Sequence, residues 1–177
     1  MKLDSRVYCR SEREALWAAI FNPEAWKASL PDAQEYEEVE PNEYEMTVKV
    51  DLGPLKGNQT VKIIFSELEP PHSCNLKVES KLLKSMTGSY HLALPGEAVA
   101  EDNENPAAEA ESSDEAKEPE VIPAETRTIF RYHLNLDMGN PMFNAIIESF
   151  KGKVESGFAE ILGRLDDYAM GATETTD

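Results

Sequence analysis

The sequence predicts an α+β domain in which a curved antiparallel sheet wraps around one long C-terminal helix, with two short helices after the first strand. Before residue 140, several segments alternate apolar and polar residues with a period of two, as strands with one buried face do. The stretch from Asn140 to Ala169 instead repeats its apolar residues every three or four positions, which is typical of a helix. Each apolar surface needs a partner of similar length, so we expect the two to pack on each other.

The C-terminal stretch predicts a single helix with one long apolar side. Burial of each large side chain on that side contributes about 1.5–3 kcal/mol, so the whole stripe needs cover. Asn140 followed by Pro141 predicts the helix start, and Gly171 predicts its end. The stripe comprises Met142, Phe143, Ile146, Ile147, Phe150, Val154, Phe158, Ile161, Leu162 and Leu165.

The N-terminal segment predicts a strand that leads directly into a corner of two short helices. Ser11 and Glu14 have the spacing of a capping box for the first helix. Asn22 followed by Pro23 predicts the start of the second. We expect this corner to lie over a gap that a straight helix leaves against a curved sheet.

The strand pattern predicts an antiparallel meander of six or seven strands that is apolar on one face. The alternating segments after the corner are 44–50, 61–65, 74–78, 86–94 and 128–136. In the last of them the alternation places Ile129 on the wet face, together with His133.

Length and charge favour one domain, spanning residues 1–177, with an acidic insert. The net charge is −17, and residues 96–124 contain ten acidic side chains but one lysine and no aromatic residue. Such a composition predicts disorder, either as a passive tether or as an acidic docking arm. The acidity argues against nucleic-acid binding, because a phosphate backbone attracts a basic surface.

The two cysteines, Cys9 and Cys74, fit buried thiols in a reducing cytoplasm. The first ten residues contain charges throughout and do not resemble a signal peptide. No apolar run is long enough to cross a bilayer. We therefore expect a cytoplasmic protein.

Several motifs resemble the CoxG family of carbon monoxide dehydrogenase subunits, within the START-like superfamily, also called SRPBCC. They are LWAAIFNPE at 16–24, LPDA at 30–33, the strand at 44–50 that leads into LGPLKG at 52–57, and TRTIF at 126–130. The resemblance implies the helix-grip fold and a link to a molybdenum hydroxylase or to membrane recruitment. Some family members carry a hydrophobic C-terminal tail, whereas residues 173–177 are polar, so we expect membrane contact to be transient at most.

No catalytic or metal-binding motif is present in the sequence. His72, His91 and His133 each lack a partner at metal-ligand spacing, and no phosphate loop or nucleophile elbow occurs. We therefore expect no enzyme activity and no cofactor.

The inner face instead offers aromatic and flexible apolar side chains, as apolar ligand pockets do and as an ordinary core also does. We expect a non-enzymatic protein that binds a quinone, lipid or aromatic molecule, in the family context beside a carbon monoxide dehydrogenase-type redox enzyme. Tyr44, Tyr90 and Tyr132 are candidates for binding a polar end of the ligand. Two alternatives are an assembly factor that uses the acidic insert and a cyclase or hydrolase. The candidate ligand-binding residues are Trp26, Tyr44, Met46, Phe65, Met86, Tyr90, Phe130, Tyr132, Phe143, Ile147 and Phe150.

Overall fold

The computed structural model describes residues 1–30, 33–52, 55–97 and 121–174. Most of the acidic insert predicted at 96–124 lies outside the described residues. The strands are β1 Lys2–Cys9, β2 Ala33–Glu40, β3 Glu43–Leu52, β4 Leu55–Glu69, β5 Ser73–Ser80, β6 Ser85–Ala93 and β7 Thr128–Asp137. The helices are α1 Arg13–Ile20, α2 Pro23–Ser29, α3 Pro141–Ser149 and α4 Lys151–Glu174.

The seven strands form one antiparallel sheet in the order β1-β7-β6-β5-β4-β3-β2. After β1 the chain makes α1 and α2, reaches the far edge at β2 and returns by successive hairpins to β7. Register pairs such as Cys74 with Tyr90 and Tyr90 with Tyr132 place these inner-face side chains side by side. The predicted helix-grip arrangement, a curved antiparallel sheet with a long C-terminal helix, is confirmed.

The outer face of β7 differs from the prediction at Ile129. This side chain has 0% exposure and forms a small second core with Ala93, against which Tyr8 and Ile122 pack. Ile122 belongs to the segment that leads into β7, which the strand pattern did not place. The expectation that Ile129 lies on a wet face was therefore wrong, because another part of the chain covers that face locally.

The predicted C-terminal helix is broken at Phe150 into α3 and α4. Phe150 has φ −101° and ψ 8°, and its amide donates to the Ile147 carbonyl at 3.0 Å. Asn140 caps α3 as predicted, since its side chain accepts from the Met142 amide at 2.9 Å. α4 also continues past Gly171 to Glu174, because a glycine permits a helix end but does not impose one.

A buried carboxylate on α4 replaces the capping box predicted at the start of α1. Ser11 lies before the actual N-cap, Glu12, and that residue makes no side-chain capping bond. Asp166, only 5% exposed, accepts from the Arg10 amide at 3.0 Å, the Ser11 amide at 2.9 Å and the Ser11 hydroxyl at 2.6 Å. The turn between β1 and α1 is thus fastened to the C-terminal helix by tertiary hydrogen bonds.

The position of α4 leaves part of the inner sheet face uncovered. Its principal contacts are with α1, α2 and β1, with a smaller one to α3. Leu165 and Ala169 are fully buried in this packing. Strands β3–β5 therefore have inner-face side chains without close helix cover, which is the condition for a gap. Among the described residues, no helix is both long enough and apolar enough to span a membrane.

Replacing Gly88 with alanine should destabilise the protein by about 1–3 kcal/mol through overpacking. A Cβ atom there would lie 2.2 Å from the His133 carbonyl oxygen and 2.6 Å from a methyl group of Leu134. Urea denaturation monitored by circular dichroism measures the change. Gly157→Ala in α4 is the matched control: its Cβ meets nothing within 4 Å, so it should stabilise by about 0.5–1 kcal/mol. Equal effects at the two positions would contradict the expectation.

Asp166→Asn should cost about 1.5–3 kcal/mol of unfolding free energy, because hydrogen bonds to a buried charge are lost and one amide group faces a donor. Asp167→Asn changes a neighbouring carboxylate whose side chain is 66% exposed and pairs with Arg10 at 2.6 Å. That exposed pair should contribute less than about 1 kcal/mol. The same denaturation measurement compares them, and a larger loss for Asp167→Asn would refute the role given to Asp166.

Candidate functional site

A cavity of about 300 Å³ lies between the inner face of the sheet and helices α2 and α4. This volume is at the lower end of small-molecule pockets. The sheet contributes side chains from β3 to β7, α2 contributes Trp26, and the residue after α2, Leu30, completes that side. Further wall residues are Val61, Ile63, Val78 and Leu134 from the sheet and Phe158, Ile161, Leu162 and Leu165 from α4.

The structure brings seven of the eleven candidate ligand-binding residues to the cavity wall. They come from α2 and from five different strands, because the alternation of each strand directs the same set of side chains inward. The seven are Trp26, Met46, Phe65, Met86, Tyr90, Phe130 and Tyr132. The other four, Tyr44, Phe143, Ile147 and Phe150, lie elsewhere.

Tyr44 lies behind the wall. It is 2% exposed, its hydroxyl donates to the Phe21 carbonyl at 3.2 Å, and its ring contacts Phe65 edge-on at 5.8 Å. It thus supports Phe65 from behind and uses its polar atom to hold the end of α1.

Phe143, Ile147 and Phe150 belong to α3 and the break that follows it, away from the wall. The break at Phe150 changes the direction of the chain, so the apolar stripe before it does not continue the stripe after it. The α4 residues that do reach the wall, such as Phe158 and Ile161, were part of the predicted stripe. The sequence signal was present, but only a straight helix would have placed both halves of the stripe together.

The cavity has a deep end and a mouth. Phe65, Tyr90 and Leu165 are buried and mark the deep end, near α1. Val48 and Phe158 are only half-buried and lie around the mouth, together with Leu83 from the turn between β5 and β6. The corner of α1 and α2 supplies Ile20 and Trp26 to the wall, so it occupies the position predicted for it.

An unbroken series of aromatic rings stiffens the wall. Neighbouring ring centroids are 5.1–6.4 Å apart, distances at which aromatic pairs attract each other. Rings have few rotamers and resist collapse into an empty space. The series runs through Trp26, Tyr36, Tyr44, Phe65, Tyr90, Phe130, Tyr132 and Phe158.

The wall contains only apolar and aromatic residues, and three of them carry a polar atom. Trp26 Nε1 donates to the Ile20 carbonyl at 2.6 Å. The Tyr132 phenol interacts with Ser5, its register partner on β1. The Tyr90 hydroxyl has no hydrogen-bond partner of normal geometry among the described residues. An unsatisfied buried polar group costs about 1–3 kcal/mol, so this hydroxyl is an exception that needs a reason.

Burial keeps the wall neutral. It raises the pKa of Tyr90 far above the usual range of a phenol, with smaller contributions from Cys74, Tyr44 and Tyr36. It also raises the pKa of Tyr132. Neither phenol therefore ionises at physiological pH, and the cavity presents an uncharged surface.

The three histidines lie away from the cavity. His133 pairs with Asp4 at 3.0 Å on the exposed outer face, and His72 is exposed in the turn after β4. In the described part of the chain, no group of three or more histidine, cysteine or acidic residues is placed to hold a metal ion.

Residues 7–89 match the family model of the carbon monoxide dehydrogenase protein CoxG, which confirms the resemblance seen in the motifs. No match to a curated protein was found by sequence.

Solved structures with the same fold are distant in sequence. A conserved protein from Geobacillus kaustophilus has 11% identity and a TM-score of 0.62, covering 97% of this chain and 95% of its own. A START superfamily protein from Mycobacterium smegmatis has 8% identity and a TM-score of 0.61, covering 91% and 93%. The di-domain ARO/CYC StfQ from the steffimycin biosynthetic pathway has 11% identity and a TM-score of 0.61, covering 98% and 52%. At these identities they show the START-like fold alone.

Both thiols should resist modification in the folded protein. Burial raises the pKa of Cys9 to about 12, with the Asp166 charge adding to the effect, and raises the pKa of Cys74 to about 11. At about pH 8 a disulfide reagent should therefore react only as fast as the protein unfolds, while both thiols should react at once in denaturant. Rapid reaction of the native protein would contradict this.

The same shifts fix the sign of an alkaline effect on stability. A raised folded-state pKa favours the neutral thiol, so the contribution of Cys74 is complete below its unfolded pKa near 9.0 and falls as the pH rises towards 11. Cys74→Ala should lose less unfolding free energy over that interval than the wild type.

Proposed function

We propose that this START-like protein, whose residues 7–89 match the CoxG family, is a non-enzymatic binding protein for one small hydrophobic molecule. The observation that carries the proposal is the preformed cavity of about 300 Å³ with a wholly apolar and aromatic wall. An apolar cavity of about 150 Å³ in another protein binds benzene. Twice that volume suits two fused rings, the ring system of a quinone, or part of a lipid chain.

The absence of reactive groups from the described cavity wall supports binding without catalysis. General acid–base catalysis needs a group that exchanges a proton near the working pH, and nucleophilic catalysis needs an activated side chain. The titratable wall groups are Tyr90 and Tyr132, whose pKa values burial raises. A ligand in this cavity therefore meets shape and apolar contact, with little means of bond-making or bond-breaking.

The family match supports a partner as well as a ligand. In the proposed role the protein serves a molybdenum hydroxylase or carbon monoxide dehydrogenase-type redox system in the cytoplasm and contacts membrane at most transiently. A hydrophobic redox-active ligand, such as a quinone, would connect the cavity to such a system.

Filling the cavity should abolish binding of a neutral apolar probe such as N-phenyl-1-naphthylamine. Val78 is 8% exposed on the wall, so Val78→Phe places a ring in the cavity. We expect at least a roughly tenfold loss of probe affinity, since overpacking by a bound molecule costs about 1–3 kcal/mol. Fluorescence titration measures it, and circular dichroism verifies that the variant is folded.

Val39→Phe makes the same chemical change at a residue that is 42% exposed and outside the cavity wall. It should leave the probe affinity unchanged. Equal losses in both variants, or a wild-type protein that does not bind the probe at all, would refute the proposed function.

A further inference from the structure

The Tyr90 hydroxyl is the polar atom of the cavity wall that remains uncommitted. Tyr90 is 3% exposed and lines the deep end, and its hydroxyl has no hydrogen-bond partner of normal geometry among the described residues. The Cys74 thiol on the neighbouring strand lies close enough to interact with it, but sulfur is a weak acceptor. A phenol in this position has its donor capacity unused.

The other polar atoms near the deep end already have protein partners. Trp26 Nε1 donates to a backbone carbonyl at 2.6 Å, and Tyr44 donates to the Phe21 carbonyl at 3.2 Å. Tyr132 interacts with Ser5. A molecule in the cavity would therefore find one available donor, and that donor lies at the inner end.

The chemistry of this donor restricts the group that it accepts. The wall carries no cation among the described residues, so an anionic oxygen would be buried without a counter-charge. A ligand hydroxyl would bring a hydrogen atom for which the wall offers no acceptor. A neutral carbonyl oxygen satisfies Tyr90 and leaves nothing unpaired.

Accordingly, we propose that Tyr90 is a specificity-determining residue that donates a hydrogen bond to a neutral carbonyl oxygen at the inner end of a two-ring apolar ligand. This inference rests on the proposed function and goes beyond it by stating the polar group and its position. The cavity then discriminates a ketone from a hydrocarbon of the same shape, because only the ketone uses the buried donor.

The test is a comparison of 2-acetonaphthone with 2-ethylnaphthalene, which have the same two rings and a side chain of similar size. In the wild type, quenching of tryptophan fluorescence should show tighter binding of the ketone. Tyr90→Phe should weaken the ketone about fivefold, the effect of one hydrogen bond, and leave the hydrocarbon unchanged. The infrared carbonyl band of the bound ketone should shift to higher frequency in Tyr90→Phe.

Tyr36→Phe is the matched control. Tyr36 is 1% exposed and its hydroxyl also has no partner of normal geometry among the described residues, but it does not line the cavity. This variant should preserve both affinities and the carbonyl band.

The outcomes separate the two proposals. If both compounds bind and Tyr90→Phe leaves the ketone preference and the carbonyl band unchanged, the inference about Tyr90 is wrong while the binding function stands. If neither compound nor the apolar probe binds the wild type, the proposed function itself fails.

Discussion

The attachment of the C-terminal helix to the turn after β1 is the constraint on which the cavity depends. Asp166 accepts three hydrogen bonds from Arg10 and Ser11, and the helix around it packs on α1, α2 and β1. A buried carboxylate is stable only with such partners, so this contact has one acceptable geometry. It holds the helix over one part of the sheet. If α4 instead lay flat across β3–β5, the same apolar side chains would fill the space as an ordinary core.

A void of this kind must also resist collapse, since protein interiors are normally close-packed. The aromatic series across the wall provides the resistance. Each ring is held by its neighbours in the series, and Trp26 and Tyr44 are fixed further by hydrogen bonds to the backbone of the first helix and its end. The side chains that enclose the cavity are therefore supported from behind, and the space is available before any ligand arrives, which lowers the ordering cost of binding.

The sequence predicted the strands well because each has one wet and one dry face, which leaves a local signal. It placed Met46, Phe65 and Tyr90 on the inner face for that reason. The failures involve contacts between distant segments. Ser11 looked like a helix cap, but Asp166, far along the chain, binds it.

The same reason explains the remaining differences. Ile129 is covered by a segment whose position the strand pattern does not contain. The stripe of the C-terminal helix gave no indication of the break at Phe150, so residues on its two sides were assigned one common surface. Tyr44 had the right periodicity for the wall, but whether a buried ring forms the first or second layer depends on its neighbours in space. The chain 98–120 leaves β6 and returns to β7 through Glu97 and Arg127, which pair with Arg13 and Glu12 at the start of α1. The mouth, beside Leu83, lies at the other end of β6, roughly 30 Å away at the rise of an extended strand. A macromolecule grasping the stems of that acidic chain would leave the doorway for a small guest unobstructed.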